Sequence, residues 1–527
     1  MPEFLQKNKE LIFLLIIIAI AAFFRLWQLN FIPPGLYPDE AINGNEAIFN
    51  PGKVFYPENN GREGLFIWLL AFSFSIFGIS IWSLKIVPAA IGILTVLGLY
   101  LLTKELFLNQ GEKVSRSLAL LSSFFLAISF WHVNFSRIGF RAILLPFILV
   151  FAFYFLFKGF REKKILNFVI SGIFFGLGFY TYISYRFVVF LLSLTLLYWW
   201  LIYQKEKLQK KFLFFIFYFL FFILITALPI GIYFLQNPQD FISRAAPISI
   251  FAAENPIKEF GKSLILHLGM FNFYGDPNWR HNFAGSPMLF WPVGILFLIG
   301  LFLSLKELIK FPKDKNLLSL AISHWLLVVW FFVMLFPGIL TFEGIPHALR
   351  TIGVIPAVYI FAGLAGWRLY NFLERNIKNK KLLILASIIF LLMVMVVQFD
   401  KYFLKWAKRP EVKDAFSKNY VEIGNYLNSL PPKIQKYVIV NVSGVPVPFP
   451  DGLPMPAQTV MFIEKTKYEK PQSIYLLPEN LDQIKIEKWT VILPMRYDQN
   501  LFDKLSQKFP QGELQKKDDI RFFKINL

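Results

Sequence analysis

After an apolar stretch that ends near Leu29, the chain reads Pro33-Pro34-Gly35-Leu36-Tyr37-Pro38-Asp39-Glu40-Ala41-Ile42-Asn43-Gly44-Asn45-Glu46-Ala47. Pro38 suits the first turn of a helix, and acids in that turn complement the helix dipole. At the α-helical period, Asp39, Asn43, Glu46 and Asn50 fall on one stripe, with Ala41 and Ile48 opposite. The segment therefore offers a carboxylate-amide face whose acids could serve as a base. The bland alternative is a capped, solvated loop helix.

Cations complete the picture. The segment Trp131 to Arg141 places Arg137 and Arg141 four residues apart, where they would repel on one helix face unless an anion or acid joins them. Guanidinium forks match phosphate oxygens; snorkelling or pairing with loop acids is the competing account. Glu343-Gly344-Ile345-Pro346-His347-Ala348-Leu349-Arg350 stands at the start of another apolar run, where helix N-termini favour anions. The loop Phe273 to Asn282 adds Asp276, Trp279, Arg280 and His281. Singly each segment reads as structural. Together they suggest a site with a carboxylate base and cationic phosphate ligands, suited to a lipid-linked phosphate substrate.

The elements that must hold these residues are membrane helices. The chain has 527 residues, is 56% hydrophobic and carries a formal charge of +20. Its apolar runs approach the ~20 residues needed to cross a bilayer, at about 11–29, 82–103, 116–133, 141–158, 166–181, 186–203, 211–235, 287–305, 317–340, 351–371 and 381–399. Segment 64–79 is apolar but short, and reads as an interfacial helix. The first run is too long for a signal-peptide core and is expected to be retained. There are no cysteines, which excludes disulfides and thiolate metal sites.

The basic excess sets topology and does not suggest nucleic-acid binding. Six short segments hold 21 cations: Lys7 and Lys9; Lys104, Lys113 and Arg116; Lys158, Arg161, Lys163 and Lys164; Lys205, Lys207, Lys210 and Lys211; Lys306, Lys310, Lys313 and Lys315; Arg375, Lys378, Lys380 and Lys381. The intervening loops carry about half as many. The positive-inside rule then puts the N-terminus in the cytoplasm, and eleven crossings put the tail outside. The expected architecture is an α-helical polytopic membrane domain over 1–400, with long outside loops at 30–81 and 236–286, followed by a small extracytoplasmic α/β domain over 401–527. In that domain an amphipathic helix is expected over 411–428, strands at Tyr437 to Val440, Trp489 to Leu493 and Phe522 to Ile525, a helix over 499–508, and a Pro-rich insertion over 445–456.

The Leu-Trp-Gln-Leu end of the first run, followed by Pro33 to Ala41, resembles the GT-C superfamily of polyprenyl-phosphate-sugar glycosyltransferases. The likeness is nearest to the branch of protein O-mannosyltransferases and the lipid A aminoarabinose transferase. It extends over roughly 1–400 through the Asn134 to Arg141 segment and the Gly275-Asp276-Pro277 to Pro287 loop. It implies inverting transfer of a sugar from a polyprenyl phosphate, such as undecaprenyl phosphate, to an acceptor hydroxyl on a protein, lipid or glycan. The expected setting is the outer face of a prokaryotic plasma membrane. Asp39 matches the acid that deprotonates the acceptor, and Glu40 its neighbour that positions acceptor or donor. Location and chemistry make Arg137, Arg141 and Arg350 the donor-phosphate candidates, with Asn43, Glu46, Arg280, His281 and His347 as substrate-binding candidates.

Some relatives bind a divalent metal through acids of two outer loops and a histidine. Here segment 134–140 has no carboxylate, so metal-independent chemistry is expected, although Glu46, Glu58, Glu63, Asp276 and His281 could assemble a site. Trp199-Trp200 is followed by Leu201, so the Trp-Trp-Asp motif of oligosaccharyltransferases is missing. The competing readings are a transporter or flippase for a lipid-linked sugar, and a non-catalytic envelope protein that binds glycan. A transporter would call for charged or broken helices at the midplane, whereas polar groups here gather at the outer ends.

Overall fold

The computed structural model describes residues 8–205, 209–242, 246–309, 315–447, 452–486 and 489–526. Lys7, Lys207, Lys310 and Lys313, and residues 448–451 of the Pro-rich insertion, lie outside the described residues. In hydrocarbon, backbone polar groups must be satisfied within the chain, so apolar runs become helices. Helices form at all eleven expected places. Among the described residues, eight are long and apolar enough to cross a membrane: Ile81–Leu106, Arg141–Glu162, Ile183–Leu201, Phe212–Gln236, Trp291–Ile309, Leu320–Ile339, Ile352–Asn376 and Lys380–Lys408. The other three, Lys9–Leu26, Glu112–Ile128 and Ile165–Gly178, are shorter or carry more charge. The interfacial candidate forms a separate helix, Leu65–Phe77.

The chain divides into two compact units. One comprises Met1–Trp27, Glu63–Phe66 and Pro88–Trp406; the other comprises Gln28–Arg62, Ile67–Val87 and Ala407–Leu527. The helical unit is fastened near the C-terminal end of its first helix by two buried arginines. Arg25 donates to the carbonyls of Ala21 at 3.0 Å and Ala127 at 2.9 Å, and to His132 Nδ1 at 2.7 Å. Arg137 donates to the carbonyls of Phe24 at 3.0 Å and Trp27 at 2.7 Å, with Phe403 under its guanidinium. Phe212–Gln236 leaves Phe214, Phe217, Phe221 and Leu224 exposed, as a lipid-facing helix should.

The second unit contains a five-stranded sheet of β1 (Gln435–Ile439), β2 (Ile474–Leu476), β3 (Thr490–Pro494), β4 (Gly512–Lys517) and β5 (Ile520–Ile525). The order is β2-β1-β3-β5-β4, with β1 parallel to β2 and β3, and β5 antiparallel to β3 and β4. The three expected strands and the helix Gln499–Lys508 are present. The expected helix over 411–428 is two helices, Pro410–Ala415 and Lys418–Ser429, because Ser417 takes a left-handed backbone (φ 52°). β2, β4 and the helix Ala457–Lys465 had no reading. β2 has only three residues, and β4 (Gly-Glu-Leu-Gln-Lys-Lys) is mostly polar edge with one apolar side chain.

In the helical unit Gly300 of Trp291–Ile309 abuts the Phe361 carbonyl of Ile355–Asn376, and a Cβ there would collide with backbone. Small residues permit this close approach of membrane helices. Gly300→Ala should cost about 1–3 kcal/mol through overpacking. The thermal midpoint in detergent should fall relative to Gly231→Ala, whose added Cβ meets open space.

Candidate functional site

The acidic stripe lies on the helix Pro38–Phe49 of the second unit. Glu40 is fully buried and its Oε1 accepts the Tyr37 N–H at 3.1 Å, so it closes the helix start. Asp39 is half-buried, and its Oδ1 accepts from Asn59 Nδ2 at 3.1 Å. One turn on, the buried Arg62 gathers the stripe. It donates to Asn43 Oδ1 at 3.2 Å and pairs with Glu46 at 3.3 Å and Glu58 at 3.8 Å. Burial pushes the Glu46 carboxyl up despite Arg62 beside it. The sequence reading named three of these groups and missed Arg62, although the Glu58-Arg62 spacing of four carried the signal.

The back of the same helix rests on the C-terminal part of the unit. Asn45 Nδ2 donates to Gln458 Oε1 at 2.8 Å and to the Gln458 carbonyl at 3.1 Å. Lys465 Nζ donates to Asn45 Oδ1 at 2.8 Å, and burial lowers its pKa to about 7. Gly44 faces Phe462, whose ring would lie 2.5 Å from an added Cβ. Only glycine allows Ala457–Lys465 to approach this closely.

Within the helical unit, three of the expected outer segments converge. Trp131 Nε1 donates to the Ala348 carbonyl at 3.2 Å, and Asn134 Nδ2 to the Arg280 carbonyl at 2.6 Å. At the junction, the buried Asp276 Oδ2 accepts the Ala348 N–H at 2.7 Å and lies 2.9 Å from His281 Nδ1. His347 Nδ1 lies 3.9 Å from the same oxygen and accepts the Arg350 N–H at 3.3 Å. Arg350 Nη1 donates to Thr341 Oγ1 at 2.8 Å and to the Glu343 carbonyl at 2.7 Å. Behind them His267 Nε2 accepts the His347 N–H at 3.2 Å, while Nδ1 faces the Ser263 carbonyl at 2.8 Å. Burial depresses both His267, to about 4, and His347, with the Arg350 charge adding to the effect. His267 escaped the sequence reading because it sits in the last turn of the helix Pro256–Gly269 among apolar residues.

Asp276, His281 and His347 each offer a ligand atom, all within 4.8 Å of one another. Two imidazoles and a carboxylate suit a zinc-like divalent cation, so the donor set fits such an ion in kind. Arg141 lies elsewhere in the unit, its Nε 2.6 Å from Glu63 Oε2 and its guanidinium over the Tyr182 ring. Glu63 and Tyr182 also line an apolar cavity of about 230 Å³, together with Tyr185, Arg186, Ile230 and Phe234.

Residues 65–233 match the family model of the dolichyl-phosphate-mannose-protein mannosyltransferases. No curated protein matches the sequence. Among solved structures, ArnT from Cupriavidus metallidurans bound to undecaprenyl phosphate is similar, with a TM-score of 0.53 and 14% identity over 97% of this chain and 98% of that one. The same protein in its apo state gives 0.52 and 12%, over 99% and 98%. The likeness to these structures shows a fold of the GT-C type, as the resemblance implied, and the family match is confined to residues 65–233.

Two tests follow from this geometry. Arg62→Met leaves Glu46 and Glu58 beside an uncharged side chain and should destabilise the second unit by on the order of 3 kcal/mol, measured as a lower thermal midpoint. For His267 and His347 the folded pKa lies below the unfolded value of about 6.5. Their contribution to stability is then complete above that pH and is lost as pH falls towards the folded value. The thermal midpoint should drop between about pH 6.5 and 4, and less steeply in His267→Gln.

Proposed function

We propose that the chain transfers one sugar from a polyprenyl-phosphate donor to an acceptor hydroxyl on the outer face of the membrane, with inversion. The observation that carries this is Asp39: a half-buried carboxylate at a helix start, held by one amide while its neighbours are engaged by Arg62. As the acceptor oxygen bonds to the anomeric carbon, the bond to the lipid phosphate breaks and the acceptor proton passes to Asp39. Glu40 sets the helix start that aims Asp39, and Asn43 and Glu46 are the acceptor-binding groups.

The donor phosphate leaves with growing negative charge and needs cations. Arg141 and Arg350 are our phosphate ligands, with Arg280, His281 and His347 serving the sugar or phosphate. Arg137 is the third cation of that set, acting through the segment it fastens to the first helix. Support for a lipid donor comes from the apolar cavity whose polar rim includes Glu63, the partner of Arg141, and Arg186. A chain of apolar isoprene units suits such walls. Asp276, His281 and His347 would hold a divalent cation, which when bound supplies positive charge. The N-terminus is assigned to the cytoplasm and the α/β domain to the outside by the positive-inside rule.

The test is transfer of radiolabelled sugar from a panel of undecaprenyl-phosphate sugars into a broad acceptor extract, using membranes that contain the protein. Asp39→Asn should lower transfer by about 10²–10⁴-fold while donor binding is kept. Arg141→Ala should weaken donor binding itself. Equal transfer by Asp39→Asn removes it as the base, and no transfer from any donor by folded protein overturns the reading.

A further inference from the structure

A second, polar cavity of about 770 Å³ lies in the α/β domain. Its position follows from topology. From β1 the chain crosses to β2 on one side and then returns to β3 on the other. In open sheets with parallel strands, ligands bind outside the carboxyl ends at such a switch point. The cavity is lined by the residues just beyond those ends, Asn441 to Ser443 after β1 and Met495 to Tyr497 after β3. Asn441 ties the two ends together, its Nδ2 donating to the Arg496 carbonyl at 2.8 Å and its Oδ1 accepting the Arg496 N–H at 2.9 Å. The floor is thus preorganised by a buttressed loop pair.

The lining indicates what would bind. Tyr420 and Tyr497 supply aromatic surface, and Asn419, Asn441 and two guanidiniums supply planar polar groups. Polar and charged residues outnumber Ile423, Val442, Pro494, Met495 and Ile520 in the lining, which disfavours a purely hydrophobic ligand. A nucleotide pyrophosphate needs a glycine-rich turn or an open helix N-terminus. No glycine lines the cavity, and the helix after β3 is closed by its own Asp498, whose Oδ1 accepts the Leu501 N–H at 3.2 Å. The cations Arg496, Lys516 and Arg521 outnumber the acids Glu422 and Asp519, and Glu422 is already paired with Lys418 at 3.0 Å. Arg521 stacks on Tyr497 at 4.0 Å, while no side-chain ion pair engages Arg496 among the described residues.

We infer that this cavity is a saccharide-binding site with a preference for acidic sugars, separate from the transfer chemistry. Planar polar groups meet hydroxyls, tyrosine rings meet the C–H faces of a pyranose, and Arg496 and Arg521 meet a carboxylate or phosphate substituent. The site gives the domain a glycan-holding role independent of Asp39.

The experiment is isothermal titration of trigalacturonate into the full-length protein in nanodiscs, with maltotriose and inorganic phosphate as comparison probes. We expect saturable binding of trigalacturonate, weakened at least tenfold by Arg496→Ala and by Arg521→Ala, and unchanged in Asp39→Asn. Both arginines are exposed, so the variants should fold, and an unchanged thermal midpoint checks this. No binding of trigalacturonate, or equal binding by the variants, overturns the proposal. Equal affinity for maltotriose overturns the acidic preference, and full displacement by an equal concentration of phosphate reduces the site to a bare anion pocket. Because Asp39→Asn is read by binding here and by transfer above, failure of one reading leaves the other standing.

Discussion

Taking a guanidinium out of water costs several kcal/mol unless hydrogen-bond partners replace the lost hydration. Arg25, Arg62 and Arg137 are fully buried, and Arg141 nearly so. Each is met by backbone or side-chain partners: carbonyls around the first helix end for Arg25 and Arg137, an amide and two carboxylates of the same segment for Arg62, and Glu63 for Arg141. Because an unmet charge is so costly, these few contacts restrict how the segments at the helix ends of each unit can be arranged.

A second constraint comes from shape. The helix with Asp39 has a polar front and a back that must be covered, and Ala457–Lys465 covers it. Gly44 lets the two helices meet, while Asn45 forms hydrogen bonds with Gln458 and Lys465. The α/β domain, which carries no catalytic motif of its own, is therefore part of what holds the candidate base in position. Lys465 illustrates the tension: burial lowers its pKa to about 7 against the opposing pull of the Glu46 and Glu464 carboxylates, with an amide oxygen and the ring of Phe49 in contact.

In the helical unit the polar chemistry collects at one junction. Asp276 is met by His281 of its own loop and by the Ala348 N–H of the 343–350 segment, and three histidines pack around it. The neutral state of His267 and His347 follows from their bonding, since His267 Nε2 and His347 Nδ1 each accept a backbone N–H and would lose that bond on protonation. A compact group of this kind orders the loops whether or not a cation joins it.

Much was legible in the chain alone because its signals are local. Apolar length marks the helices, the helical period lines up Asp39, Asn43 and Glu46, and short, largely apolar runs mark β1, β3 and β5. The split at Ser417, the short β2 and the polar β4 were not legible, since pairing with neighbours, and not their own composition, makes them regular. Nor were the partners of the charges. Arg62 with Glu46, Arg141 with Glu63, and Asp276 with His281 and His347 are joined across turns and loops whose closure no local pattern encodes. The sequence by itself determined which residue types stand at the ends of the helices, because hydropathy and period act within a few turns. Tertiary structure alone decided which of them meet, because a buried charge is satisfied by whatever the fold brings within hydrogen-bond reach.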